Sequence, residues 1–287
     1  MNYLILGAGG MAGHTISIYL MEQGEEVEGV ARHDLPFCKT HKMDITKFDE
    51  LETLINSKSY DIIVNCVGIL NQNAEDNKSQ AILLNSYLPH FLADITKDKD
   101  TRIFHMSTDC VFSGTRGNYT EYDETDGKTY YDKTKALGEL NDNKNLTFRN
   151  SIIGPDINEN GIGLFNWFMK QSEDVNGFEK SLWTGVTTLT LAKAMHKASY
   201  ENLVGLYNLV NNDITNKFEL LMFFNKYSEK KLNINKVDGI IQDKSLYRTR
   251  NDFSFVVPKY EVQILEMFQW ILSHKEIYPH YFKGEKK

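Results

Sequence analysis

Leu4-Ile5-Leu6-Gly7-Ala8-Gly9-Gly10-Met11-Ala12-Gly13-His14 opens the chain with an apolar run, a glycine cluster and the start of a helix-forming stretch. A strand that ends in glycines and passes at once into a helix is what a dinucleotide pyrophosphate requires. The anion needs bare backbone amides and the positive end of a helix, and side chains would obstruct both. Two registers fit. Gly7-x-Gly9-x-x-Ala12 matches the common dinucleotide fingerprint, and Gly7-x-x-Gly10-x-x-Gly13 gives a wider spacing. Gly7, Gly9, Gly10, Met11 and Gly13 are therefore the candidate phosphate cradle. A glycine-rich turn can also serve tight helix packing, so function needs further residues.

Outward from this turn, strand-like and helix-like stretches alternate. Residues 3–6 read as a strand and 14–21 as a helix, Glu26–Ala31 as a strand and 48–56 as a helix. Residues 61–67 form a third strand with near-continuous apolar character, followed by a helix over 81–95. Arg102–Met106 is another strand and 131–140 another helix. Such alternation predicts an α/β fold, a doubly wound parallel Rossmann-type sheet with helices on both faces. After Arg149 the pattern changes. A loop enters a helix over 161–169, 173–178 reads as a polar turn, 205–210 as a strand and 217–226 as a helix. In Tyr260–Ser273 the apolar residues Val262, Leu265, Phe268, Ile271 and Leu272 have helical spacing and read as a core stripe. The expected division is a nucleotide-binding domain over 1–150, to which 183–215 returns, and a smaller C-terminal α/β substrate lobe over 151–182 and 216–287.

Composition bounds the function classes. The 287 residues are 41% hydrophobic and 25% charged with a net charge of −7, an ordinary globular balance that lacks a basic footprint for nucleic acid or anionic membranes. No apolar stretch is long enough to span a bilayer, and the first residues lack a positive flank, so the chain reads as cytoplasmic. The three cysteines lie far apart, which suits reduced thiols. The histidines show no ligand spacing, and no metal site is expected from the residues.

The end of the second strand bears on the choice of cofactor. Arg32-His33 stands where an acidic residue would accept from the ribose of NAD, and a guanidinium suits the 2′-phosphate of NADP. NADPH is thus expected over NADH, the alternative being an exposed Arg32 with Asp34 on the ribose. Asp44-Ile45 falls where the adenine is expected, or else serves as a helix cap. Cys66, Val67 and Gly68 end the central strand, where small residues let backbone lie against a cofactor.

Tyr131-Asp132-Lys133-Thr134-Lys135 is Y-x-x-x-K at the start of a helix. Residues four apart share a helical face, so Lys135 is expected to stabilise the Tyr131 phenolate and to hold the cofactor ribose. Ser107-Thr108-Asp109 ends an earlier strand at the carboxyl edge of the sheet, where the Thr108 hydroxyl can bond a carbonyl oxygen whose charge grows during hydride transfer.

These features together resemble the extended short-chain dehydrogenase/reductases, and within them the dTDP-4-dehydrorhamnose reductase-like family. The matching residues are 4–14, Ser107-Thr108-Asp109-Cys110-Val111-Phe112-Ser113-Gly114, Glu121-x-Asp123 and 131–139, with Asn85 before Pro89 and the later Gly205-Leu206-Tyr207-Asn208. The resemblance implies NADPH-dependent reduction of the 4-keto group of a nucleotide-linked 6-deoxyhexose in surface-polysaccharide biosynthesis. In it Thr108 polarises the carbonyl, Tyr131 donates the proton, Lys135 tunes Tyr131, Asn85 joins the cofactor site, and Asp109, Cys110 and Val111 border the sugar. It leaves room for a homodimer and for Mg2+ at an interface. Three departures lie on the sugar side: Asp132 replaces a small residue, Ile152 stands where the family has Trp, and 182–188 departs from the family's pattern. Ile152 opens volume there, which admits an N-acetylated 4-ketohexose on UDP. A NAD-retaining epimerase or dehydratase and a non-catalytic NADP-binding regulatory subunit are the competing readings. The first is disfavoured by the missing Glu beside Ser107-Thr108-Asp109, the second by the intact Thr108, Tyr131 and Lys135.

Overall fold

In the computed structural model, which describes residues 1–228 and 230–282, the first half runs β1 (Asn2–Leu6), α1 (Met11–Glu22), β2 (Glu26–Ala31), β3 (Lys39–Lys42), α2 (Phe48–Ser57) and β4 (Ile62–Asn65). Then come α3 (Asn71–Asp76), α4 (Lys78–Ala81), a π-helical segment (Ile82–Tyr87), α5 (Leu88–Ile95), β5 (Arg102–Met106), a 3-10 turn (Asp109–Val111), α6 (Tyr130–Leu137) and β6 (Leu146–Arg149). The second half adds β7 (Ser151–Ile153), α7 (Leu164–Lys170), β8 (Val175–Phe178), β9 (Leu182–Trp183), β10 (Gly185–Thr187) and α8 (Thr188–Tyr200). It closes with β11 (Gly205–Asn208), β12 (Thr215–Asn216), α9 (Lys217–Ser228), β13 (Ile234–Val237) and α10 (Tyr260–Ser273).

Seven strands pair in parallel in the order β11-β6-β5-β4-β1-β2-β3. The order reverses between β1 and β4, which opens a crevice at their carboxyl ends. Alternate residues of the central strands feed two cores. Ile5, Val64, Phe104 and Phe148 pack with Ile16 and Leu20 of α1 and with Leu191 and Met195 of α8. Leu4, Leu6, Ile63 and Ile103 pack on the other face with Leu51 and Ile55 of α2 and Leu88 and Leu92 of α5. Both faces are covered, which is why these strands read as apolar runs rather than as alternation. This is the doubly wound fold that the sequence predicts.

A third core holds Phe165 and Phe168 of α7, Leu220 and Phe224 of α9, and Ile264, Met267, Phe268 and Trp270 of α10. Small two-stranded pairings, β10 with β7, β12 with β9 and β13 with β8, frame it. It is tied to α1 through Tyr278, whose hydroxyl lies 2.8 Å from His14 Nε2 and accepts from the Trp270 indole at 3.1 Å.

Several expectations are corrected. Residues 175–178 are strand β8, parallel to β13, and not part of a polar turn. Strand β3 carries no apolar run that announces it, since Lys39–Lys42 is polar throughout and lies at the sheet edge, and β6 is a further strand of the sheet beyond those expected. In α10 the buried face is Tyr260, Gln263, Ile264, Met267, Phe268, Trp270 and Ile271, while Val262, Leu265 and Leu272 are exposed. Gln263 can sit inside because its side chain accepts from Thr187 N at 3.1 Å and donates to Pro258 O at 2.8 Å. The helix expected over 81–95 begins at Lys78 and passes through π geometry at 82–87.

Candidate functional site

The glycine turn lies at the carboxyl end of β1. Gly7 adopts φ +76°, where only glycine is unstrained, and its amide and that of Ala8 bond Val30 O on β2. A side chain at Gly13 would place Cβ 2.2 Å from Gly7 O, so helix and turn approach as only glycine permits. Helix α1 starts on Gly10 with no side-chain cap, and the first-turn amides of Met11, Ala12 and Gly13 lack helical acceptors by geometry. A bare, uncapped helix end beside close-packed backbone fits a pyrophosphate.

Around this cradle, Arg32 and His33 follow β2 and are exposed. Asp34 is turned toward Lys42, 2.9 Å away, so it is already paired. Asp44 folds its carboxylate back on Thr46, accepting from N at 3.0 Å and from Oγ1 at 2.8 Å. Those bonds, reinforced by the Lys47 and Arg32 charges, hold its carboxyl below the usual range. The turn leads into α2, with Ile45 packed on the core beneath. Cys66, Val67 and Gly68 follow β4, and Val67 Cγ2 is the side-chain atom that a Cβ on Gly7 would meet first.

The chemical end of the site is built on β5 and α6. Thr108 ends the extended segment, caps the short turn through a bond from Cys110 N to its Oγ1 at 3.1 Å, and donates to Asp109 Oδ1 at 3.1 Å. The Tyr131 phenol lies beside the Thr108 hydroxyl, which lowers its value, and both residues are buried. Helix α6 is fixed at its start by a capping box between Thr129 and Asp132, with Asp132 also accepting from Lys128 N. Asp132, a departure on the sugar side in the sequence, is thus a buried helix cap that also faces Lys244 at 3.9 Å.

Burial raises the Tyr131 phenol above its ordinary value, and the neighbouring Cys110, Asp109 and Asp132 add to the rise. The lowering expected from Lys135 is not found. Lys135 is buried, its Nζ donates to Met106 O at 2.5 Å, and it lies 3.3 Å from His105 Nε2. Burial pulls this amine down to about 8, opposed by Glu139 one turn along. Four-residue spacing does put the two side chains on one helix, but the strand-end carbonyl captures the amine. Burial also pushes the Cys66 and Cys110 thiols up to about 12, so neither is a nucleophile at neutral pH.

Asn85 lies in the π-helical segment and its amide is fully engaged. Oδ1 accepts from Ile69 N at 2.8 Å, and Nδ2 donates to Ile69 O at 2.9 Å and to Thr134 Oγ1 at 3.1 Å. Rather than facing a cofactor, it clamps the loop after β4 to α6. A widened helical turn fits here because Gly138 of the α6 end packs against Asn85 O, where a Cβ would stand 1.9 Å away. Asp109 is buried, and burial raises its carboxyl while Lys244 opposes the rise. Val111 is buried in a small core with Phe112, and Ile152 on β7 is half-buried against the main core. Among the described residues no cluster of His, Cys, Asp and Glu could hold a metal ion, and no helix is long and apolar enough to cross a membrane.

The supporting residues were not apparent from motifs. Glu139 accepts from Arg149 Nε at 2.9 Å and Nη2 at 2.6 Å and from Ser107 Oγ at 2.5 Å, so a buried ion pair anchors the strand end to α6. His105 and Asn65 lie beneath Lys135, with Asn65 Nδ2 3.2 Å from His105 Nδ1. Period-two alternation along β5, which puts His105 and Ser107 on one face, was the signal available for His105.

With this geometry in place, comparison with known proteins is informative. The family model for the RmlD substrate binding domain matches residues 1–246. A dTDP-4-keto-6-deoxy-D-glucose reductase of Streptomyces niveus is 34% identical over 140 residues, which is 48% of this chain and 46% of the relative. The matches to such curated relatives thus span about half of their length. A solved structure described as a hypothetical dTDP-4-dehydrorhamnose reductase from Sulfolobus tokodaii is 26% identical with a TM-score of 0.76, covering 90% of this chain and 98% of its own. A Bacillus anthracis dTDP-4-dehydrorhamnose reductase solved with NADP shares the fold, with a TM-score of 0.78 at 19% identity, covering 94% of this chain and 99% of its own. With the glycine cradle, the strand-end hydroxyl and the Y-x-x-x-K helix all in place, the chain belongs to the RmlD substrate binding domain family, the dTDP-4-dehydrorhamnose reductase-like branch of the extended short-chain dehydrogenase/reductases.

Proposed function

We propose that this protein reduces the 4-keto group of a nucleotide-linked 6-deoxyhexose with NADPH, in the cytoplasm, to make an activated sugar for a surface polysaccharide. The observation that carries the reading is the juxtaposition of the buried Thr108 and Tyr131 hydroxyls at the carboxyl edge of the sheet. NADPH held in that cradle would supply the hydride to the carbonyl carbon. Thr108 and Tyr131 present two hydroxyls to the carbonyl oxygen, which favours the charge that develops there. The raised phenol keeps its proton until the oxygen has become basic enough to take it, as a proton donor must. Lys135 is the residue to hold the nicotinamide ribose, and Arg32 the one to face a 2′-phosphate. The names of the relatives support the sugar class.

In this reading residues 1–150 with 183–215 hold the cofactor, and 151–182 with 216–287 hold the sugar nucleotide. Asp109, Cys110, Val111 and Ile152 would border the sugar. A panel of dTDP- and UDP-linked 4-ketohexoses with NADPH tests the proposal. Stoichiometric NADPH oxidation with a dTDP-4-keto-6-deoxyhexose is the expected outcome. Tight NADPH binding without turnover on any sugar would make the protein a regulatory scaffold. Purification with stoichiometric NAD and no net cofactor consumption would make it an epimerase or dehydratase.

A further inference from the structure

A buried line of polar groups runs beneath the proposed catalytic residues. Val67 N donates to Asn65 Oδ1 at 3.1 Å, Asn65 Nδ2 lies 3.2 Å from His105 Nδ1, and His105 Nε2 lies 3.3 Å from Lys135 Nζ, which donates onward to Met106 O. Asn65 and His105 are fully buried and Lys135 nearly so. Such a closed line assigns its own protons. The Val67 amide must have an acceptor, which fixes Asn65 Oδ1 toward it and Asn65 Nδ2 toward the imidazole. The imidazole therefore accepts at Nδ1 and carries its hydrogen on Nε2, facing Lys135. An ammonium has no lone pair and cannot accept that hydrogen, whereas a neutral amine can.

We propose that His105 is a positioning residue for Lys135, favouring its neutral form over the ammonium through an imidazole tautomer that Asn65 dictates. Protonation of Lys135 breaks its contact with His105, keeps the bond to Met106 O, and frees N–H groups to turn toward Tyr131 and the sugar hydroxyls of a bound cofactor. The charge of Lys135 and its direction are thereby linked. The titratable groups whose charges act on this pair are Glu139 just after α6, Cys66 after β4, and His90 from α5, which acts on His105. Burial, the Lys135 charge and His90 hold His105 well below its ordinary value, so the imidazole stays neutral while Lys135 titrates. The depressed value of Lys135 itself agrees with this arrangement. The catalytic consequence rests on the reductase reading; the tautomer and the Lys135 titration do not.

The test is an NMR titration of lysine 13Cε resonances in the full chain, with Lys135 assigned through Lys135→Arg, from about pH 6 to about pH 11. In the wild type Lys135 titrates below the surface lysines. Asn65→Leu releases the imidazole to turn its acceptor toward Lys135, and His105→Gln offers a carbonyl in place of the N–H. Each variant raises the Lys135 titration by about one pH unit, the size of one hydrogen bond. Either variant alone suffices if the other fails to fold by circular dichroism. A Lys135 that titrates with the surface lysines in the wild type, or is unmoved or lowered in a folded variant, overturns the proposal. If a sugar is reduced, the alkaline limb of kcat/KM moves in step with the titration. If none is, the reductase reading falls while the titration still decides this one.

Discussion

The N-terminal sheet and the C-terminal lobe are made by different physics. In the first, backbone geometry dictates residue type: Gly7 at φ +76°, Gly13 against Gly7 O, and strands buried on both faces. In the second, strands of two to four residues pair two by two around an aromatic core, and the chain path rests on side-chain packing. A site whose demands are met by backbone leaves a sequence signature, whereas a lobe held by interdigitating side chains can change many residues without changing its shape. In the proposed reading, chemistry sits in the first and substrate choice in the second.

The sharpest way to break this comparison is at the join. Glu139→Gln removes the carboxylate that holds buried Arg149 and Ser107, and is expected to cost about 3–5 kcal/mol in denaturant unfolding, since it leaves a cation buried without its partner. Loss of less than about 1 kcal/mol would mean the strand end does not depend on this pair.

A smaller effect of opposite sign is expected at Lys135. Its folded value, about 8, lies below the ordinary 10.5, so the buried ammonium costs stability relative to the unfolded chain, in full below about pH 8. Between those values the unfolded chain binds more protons and wild-type stability rises with pH. Lys135→Met should therefore be more stable than wild type at neutral pH by about 3 kcal/mol, with the gain shrinking as the pH approaches 10.5. A destabilised Lys135→Met would show that the bond to Met106 outweighs the burial of charge.

Next comes Arg32→Ala, which should weaken NADPH binding by about tenfold while leaving NADH binding within about twofold, as expected for one exposed charged contact to phosphate. Equal losses for both cofactors would place the 2′-phosphate elsewhere. The smallest effect belongs to the variable lobe. Ile152→Trp should change KM for the accepted sugar by a few-fold, up to about tenfold, with the unfolding midpoint unchanged. A matching loss of NADPH affinity would move Ile152 out of the sugar side and blur the division between the halves.

Legibility in the sequence followed the same line. Glu26–Ala31, Arg102–Met106 and Tyr260–Ser273 are found where periodicity and punctuation place them, because burial imposes the pattern directly. Lys39–Lys42 escaped notice because an edge strand faces water and needs no apolar residues. The buried face of α10 was misphased because Gln263, satisfied by Thr187 and Pro258, stands at a core position. At the site, Thr108 and Tyr131 are candidates from motif spacing, and both are buried side by side. Lys135 was legible as a member but not in its partners, since which acceptor captures a long side chain depends on Met106 and His105, which come from another element. Asn85 and Asp132 were visible as residues but not as a loop clamp and a helix cap, roles that exist only once the π-helical segment and α6 meet.

The central claim is that the Tyr131 phenol gives its proton to the substrate oxygen. Single-turnover reduction of the accepted 4-ketohexose should be compared for wild type and Tyr131→Phe at saturating NADPH, with the affinity for NADPH measured in parallel. The account predicts a rate at least about a hundredfold lower in Tyr131→Phe with NADPH affinity unchanged. A variant that reduces the sugar at the wild-type rate would contradict it.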